Sequence, residues 1–159
     1  MDMLEIGTGT MTAYQEQTHF SFWAALKSPL IIGANINNIS DSSLSILKQK
    51  DIIAINQDDL GVAANYLPDL SEEDKYQVWA GPLSSGTARH VILVQNYGSE
   101  PVNVTIPLRS VPGLEKCANR TRLAVRDVWE DRDFGRLGAT IELKDVKVDQ
   151  VKVLVLSKL

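Results

Sequence analysis

The sequence predicts two structural regimes in one chain. The first is an α/β segment with the helix–strand–helix order of an α/β barrel or an open parallel sheet; the second is an all-β antiparallel sandwich. Three observations carry this. A Thr-capped apolar helix runs into a short unbroken apolar stretch, Leu30-Ile31-Ile32-Gly33, and then into more helical sequence. Near residue 62 the apolar period changes from helical to two. Beyond residue 73, short strand-like runs succeed one another with Gly, Pro and Asp between them, which is the spacing of a sandwich.

Thr12-Ala13-Tyr14-Gln15 has the pattern of a capping box, in which the Thr hydroxyl and the Gln side chain satisfy two backbone donors reciprocally. From there to Lys27 the chain lacks Gly and Pro, and Lys27 suits the negative end of the helix dipole. Phe20-Ser21-Phe22-Trp23-Ala24-Ala25-Leu26 is apolar almost all round, so this helix wants cover on more than one side. His19 and Trp23, four apart, share a face, and a lone helical His reads as a boundary residue before it reads as a ligand. Ser28-Pro29 stops the helix. Leu30 to Gly33 is then expected to be a strand buried on both faces, as in parallel sheets. Ser40 or Asp41 caps the next helical stretch, and Asp51 to Gln57 adds a further short turn that ends near Gly61.

In the second regime, Tyr76 to Pro82 surrounds Trp79, and His90 to Asn96 reads as a central strand. Val102, Val104, Ile106 and Leu108 alternate with polar residues and Pro107. Arg122 to Trp129 alternates again, Ile141 and Leu143 form a shorter strand, and Val151 to Leu156 closes the chain. The expected organisation is a barrel-like or open-sheet segment over 1–62, a polar Pro-containing linker over 63–72, and a sandwich over 73–159.

Bulk properties exclude several classes. The chain has 159 residues and a formal charge of −4 without a Lys/Arg cluster, which argues against a nucleic-acid binder. No run of eighteen apolar residues exists, so no membrane span is expected, and the N-terminus has no signal-peptide pattern. The single Cys117 reads as a part-buried small residue, or as a cysteine separated from its partner by shortening of the chain. Three sequons, at Asn38, Asn103 and Asn119, exceed the roughly one expected by chance and tilt towards a secreted, glycosylated parent.

Self-contained catalytic sets are scarce. His19 and His90 fall in different domains, and no metal or cofactor is expected. Gly7-Thr8-Gly9-Thr10 lacks the features that make a phosphate loop specific. The pairs Asp58-Asp59 and Asp131/Asp133 read as solvated turn residues.

The opening stretch Asp2-Met3-Leu4-Glu5-Ile6-Gly7 gains meaning from its neighbours downstream: a Gly-containing loop, a Thr-capped helix and Trp23-Ala24 leading to Lys27-Ser28-Pro29-Leu30-Ile31-Ile32-Gly33. That string resembles glycoside hydrolase family 27, the α-galactosidases and α-N-acetylgalactosaminidases. The resemblance continues through Asn38-Ile39-Ser40, Asp51 to Asp58, Val78-Trp79-Ala80-Gly81-Pro82-Leu83 and Val125-Arg126-Asp127-Val128-Trp129. It implies that residues 1–62 are the last β/α units of a TIM barrel, entered in the loop after the seventh strand, and that 73–159 is the family's C-terminal sandwich.

Barrel sites lie at the C-terminal ends of the strands, so the resemblance places Asp2 and Met3 in the sugar pocket. It also implies that the nucleophile and the acid/base aspartate lie on earlier strands, leaving no catalytic residue in this chain. The chain departs from the family at Met1, which stands where Pro precedes the Asp-Met-Leu string. It departs again at Gly7-Thr8-Gly9-Thr10 and at Asp59.

Three functions are weighed. The first is the C-terminal part of a retaining α-galactosidase, inactive alone, from a secreted or vacuolar/lysosome-like parent acting on an α-galactoside. The second is a non-catalytic carbohydrate-binding or interaction sandwich. The third is a remnant that persists by association as a homo-oligomer. Because a parallel strand without neighbours leaves apolar faces open, residues 1–61 are expected to self-associate, to be poorly ordered, or to dock on the sandwich through their helices.

Overall fold

A computed structural model describes residues 3–84, 89–115 and 123–158. Asp2, Cys117 and the Asn119 sequon lie outside them. Helix α1, Ala13–Ala25, begins where the sequence places it. Thr12 accepts from the Gln15 amide at 3.3 Å, and the Gln15 side chain accepts from the Thr12 amide at 3.0 Å. It ends two residues before Lys27, and Pro29 does not stop it. Lys27 sits at φ 59°, with its N–H on the Ala24 carbonyl and that of Ser28 on the Trp23 carbonyl. This is a Schellman ending with Lys in the left-handed position that Gly usually takes. The later helical stretch divides into α2, Asp41–Leu47, capped by Ser40, and α3, Lys50–Asn56. The break falls at Gln49, which is extended and caps α3 by accepting from the Asp51 amide at 3.1 Å.

Beyond the helices come β1 (Asn65–Tyr66), β2 (Tyr76–Pro82), β3 (His90–Asn96), β4 (Val102–Pro107), β5 (Leu123–Asp127), β6 (Arg132–Leu137), β7 (Thr140–Val146) and β8 (Val151–Lys158). An antiparallel six-stranded sheet has the order β1-β2-β3-β8-β5-β6, and β4 pairs with β7 in a second sheet. The polar connector is therefore partly structured: Asn65 and Tyr66 add an edge strand opposite Ala80 and Trp79. Strand β6, with Gly135 and alternating charges, carries no apolar period and is not legible in the sequence.

The larger sheet is buried on both faces. Along β3, Ile92 and Val94 pack with Val104, Ile106 and Ile141 of the small sheet. Val91 and Leu93 pack, with Val151 and Val153 of β8, against Phe20, Trp23 and Ala24 of α1 and Ile52 and Ile55 of α3. The result is three layers: helices, six-stranded sheet, two-stranded sheet. Burying each large side chain at this seam stabilises by about 1.5–3 kcal/mol. Polar ties reinforce the seam. The Trp129 indole N–H donates to Ser21 Oγ at 2.9 Å, and the Ala64 amide donates to the Ala25 carbonyl at 2.9 Å.

A further expectation is corrected. Leu30 to Gly33 is not a doubly buried strand. It makes one parallel bridge, Leu4 to Ile32, with the Gly33 amide on the Leu4 carbonyl at 3.0 Å. Ile31 is 75% exposed and Ile32 44%. A parallel strand is buried by neighbours on both edges and helices on both faces, and among the described residues Leu4 alone pairs with it.

Candidate functional site

The segment Met3 to Gly7 is positioned by three side chains that sequence reasoning did not assign to it. Glu16, one turn into α1, is 4% exposed. Its Oε1 accepts from the Gly7 amide at 2.8 Å and from Ser43 Oγ, at the start of α2, at 3.0 Å. Ser43 Oγ in turn accepts from Ser40 Oγ at 2.9 Å. One carboxylate thus joins the segment, α1 and α2. His19, a turn further on, accepts from the Glu5 amide through Nε2 at 3.2 Å. Its ring lies 4.5 Å from that of Trp23, the shared face expected from their spacing. Burial lowers the His19 pKa below its ordinary 6.5, against the opposing pull of Glu5, the Met3 carbonyl and Glu16. His19 is therefore neutral at neutral pH and free to accept.

The backbone geometry here requires glycine at residue 7 and favours it at residue 33. Gly7 has φ 85°, and a Cβ there would stand 2.6 Å from Ile39. A Cβ on Gly33 would stand 3.0 Å from the Leu4 carbonyl oxygen and 3.1 Å from Met3 Cγ. So Met3 lies directly against the end of the 30–33 run, with its side chain 54% exposed. Leu4 and Ile6 alternate inwards and are fully buried, which turns Met3 and Glu5 outwards. The arrangement holds Met3 beside the 30–33 run, with Leu4 and Ile6 anchored in the core. A signal for Glu16 existed: Glu16, Phe20 and Trp23 lie on one helical stripe, and a carboxylate on an otherwise buried stripe calls for partners.

The other singled-out residues go elsewhere. Asp58 is not a solvated turn residue. Its side chain is 3% exposed and accepts from Ser84 N at 2.8 Å and Ser84 Oγ at 2.8 Å, tying the helical half to the sandwich. Burial works to raise its pKa, but the bonds from Ser84 and Leu60 and the nearby Lys27 ammonium outweigh this and hold the carboxyl below its ordinary range. Asp131 and Asp133 are exposed, as expected, and both face Arg126. His90 lies in the sandwich, with Nε2 3.2 Å from the Pro112 carbonyl oxygen. Asn38 and Asn103 are exposed. Among the described residues no group of three or more His, Cys, Asp and Glu could hold a metal ion, and no helix is long and apolar enough to cross a membrane.

Two family models match the chain. Residues 73–156 match the model of the alpha galactosidase C-terminal beta sandwich domain, and residues 1–58 match that of alpha galactosidase A. The chain belongs to the α-galactosidase family. It is 43% identical over 132 residues to alpha-galactosidase 3 of Arabidopsis thaliana, a match covering 83% of this chain and 29% of the relative. The crystal structure of alpha-galactosidase I from Mortierella vinacea superposes with a TM-score of 0.85 at 30% identity, over 98% of this chain and 38% of that one. The structure of α-galactosidase from Saccharomyces cerevisiae with raffinose gives 0.85 at 26% identity, over 99% and 46%. The chain therefore spans less than half of these family members. Its helical half is the end of a barrel, and its β half is the C-terminal sandwich.

Proposed function

We infer that this polypeptide supplies the last β/α units and the C-terminal domain of a retaining α-galactosidase that removes terminal α-D-galactosyl residues. In this reading Asp2 and Met3 form part of the sugar-site wall. An ionised Asp2 accepts charge-assisted bonds from sugar hydroxyls, and Met3 shapes the contact surface. The observation that carries the reading is the pairing of Leu4 with Ile32, with Met3 against Gly33. That Met3 and Leu4 run beside the 30–33 segment supports the reading, since barrel sites lie at strand ends.

Retaining hydrolysis requires two carboxyl groups about 5 Å apart across the scissile bond, and one wall carboxylate does not meet that need. The isolated chain is accordingly inactive. Incubation of the pure chain with an aryl α-galactoside tests this: no release of the phenol is expected, and stoichiometric turnover would refute it. The exposed sequon asparagines, Asn38 and Asn103, support a secreted or vacuolar parent. Expression in a glycosylating host, with an endoglycosidase mobility shift as the readout, checks that.

The reading of the whole sandwich as a carbohydrate-binding face finds less support. Trp79 is held between Phe22 and Tyr66, and Trp129 is bonded to Ser21, so neither joins an exposed aromatic row.

A further inference from the structure

A cleft of about 570 Å³ opens where α1 meets the sandwich, walled by β6, β7 and the turn between β7 and β8. None of residues 3–10 lines it. Its volume falls within the range of about 300–1,000 Å³ typical of ligand sites, which favour seams between domains. The seam is braced. Gln15 Nε2 donates to Asp149 Oδ2 at 3.0 Å, and Thr18 Oγ1 donates to the Asp149 carbonyl at 2.7 Å. The walls therefore stand in place without a ligand.

The lining is charged but balanced, with four acidic and four basic side chains. Most are already matched. Lys152 Nζ stands 3.3 Å from buried Asp127 and 2.6 Å from Glu130, and Lys147 pairs with Asp145. A ligand with net charge would have to break these pairs. A hydroxyl both donates and accepts, so a neutral polyol can bridge them intact. Glu142 and Lys144 alternate onto the exposed side of β7, and their side chains bond to no described residue, which leaves one acceptor and one donor group for a ligand. Two rings, Tyr14 of α1 and Phe134 of β6, supply apolar platforms for the C–H faces of sugar rings. The Arg132 guanidinium, 5.2 Å from the Phe134 ring centroid, covers part of that ring.

We propose that this cleft is a non-catalytic subsite for a neutral oligosaccharide, with Tyr14 and Phe134 against its ring faces and Glu142 and Lys144 on its hydroxyls. The proposal goes beyond the enzymatic reading and stands apart from it, because none of residues 3–10 lines the cleft.

The test is an amide chemical-shift titration of the full chain with raffinose, a neutral trisaccharide, and in parallel with inositol hexakisphosphate, a polyanion. Raffinose is expected to move the amides of Glu142 to Lys147 and to saturate in the millimolar range. The conservative Glu142→Gln and the surface substitution Tyr14→Ala should each weaken binding about ten-fold, the size of one aromatic or polar contact. The polyanion should bind more weakly than raffinose. No shifts with raffinose at tens of millimolar, shifts confined to residues 3–10, undiminished affinity in both variants, or preference for the polyanion would each overturn the proposal. Failure of the galactoside assay to match the enzymatic reading would leave these outcomes unaffected.

Discussion

Glu16 shows how one buried charge orders a segment it does not belong to. Its carboxylate takes two donors, the Gly7 amide and the Ser43 hydroxyl. Glu16→Ala strands both, at about 1–3 kcal/mol for each buried unsatisfied donor. Glu16→Gln keeps one acceptor oxygen and should cost about 1 kcal/mol. Hydrogen exchange should therefore show Gly7 losing protection in the alanine variant and keeping most of it in the glutamine variant; equal protection in both would show that the carboxylate is idle.

His19 adds a pH dependence. Its folded pKa lies below the ordinary 6.5, so the unfolded chain binds the extra proton and stability rises with pH through this window. The contribution is complete above 6.5 and is lost as pH falls through the folded value. Asp58 acts in the same direction lower down. Its depressed pKa stabilises above the ordinary 3.8 and fails as pH falls through the folded value. Urea unfolding should thus show two acid steps, with His19→Gln removing the first and Asp58→Asn the second. A stability profile unchanged by either substitution would count against these assignments.

Helix α1 is legible in the sequence at its start and not at its end, for physical reasons that differ. The capping box is a four-residue pattern that depends on nothing distant, so Thr12→Ala should lower stability by about 1 kcal/mol with the helix otherwise intact, as read by urea unfolding and circular dichroism. The C-terminus depends on Lys27 adopting a left-handed conformation, which its residue type does not advertise. Its ammonium reaches the Ile55 carbonyl on α3, a contact visible only after folding. The same contrast separates β3 from Leu30 to Gly33. Both are unbroken apolar runs, and only β3 lies between two antiparallel neighbours, β2 and β8. An apolar run states that a strand tolerates burial; the partners decide whether burial occurs. Strand β6 is the converse, a polar edge held by pairing with β5. At the candidate site, motif likeness points to Met3, the helical stripe to Glu16 and the shared face with Trp23 to His19, whereas the bonds of Glu16 to Gly7 and Ser43 depend on how α1 packs on α2.

At the scale of the molecule, the helical half is held by the sandwich on one side and left apolar on the other. Phe20, Trp23, Ile52 and Ile55 are buried against the six-stranded sheet, so of the three outcomes expected for residues 1–61 the structure shows docking on the sandwich through the helices. Across from that seam, Ile31, Ile32, Ile36 and Met3 remain exposed beside a two-segment parallel pair. Removing an isoleucine side chain from water is worth about 1.5–3 kcal/mol, and a strand that pairs with Leu4 alone among the described residues adds backbone groups that seek partners. Two copies meeting through this face would gain on both counts. The pure chain should therefore associate as its concentration rises, in sedimentation velocity at micromolar to millimolar loading. The double substitution Ile31→Ser with Ile36→Ser should shift it towards monomer without lowering its unfolding midpoint, because neither side chain contributes to the core. Were the unsubstituted chain to sediment as a monomer throughout that range, the open edge would be closed by its own local conformation and would need no partner.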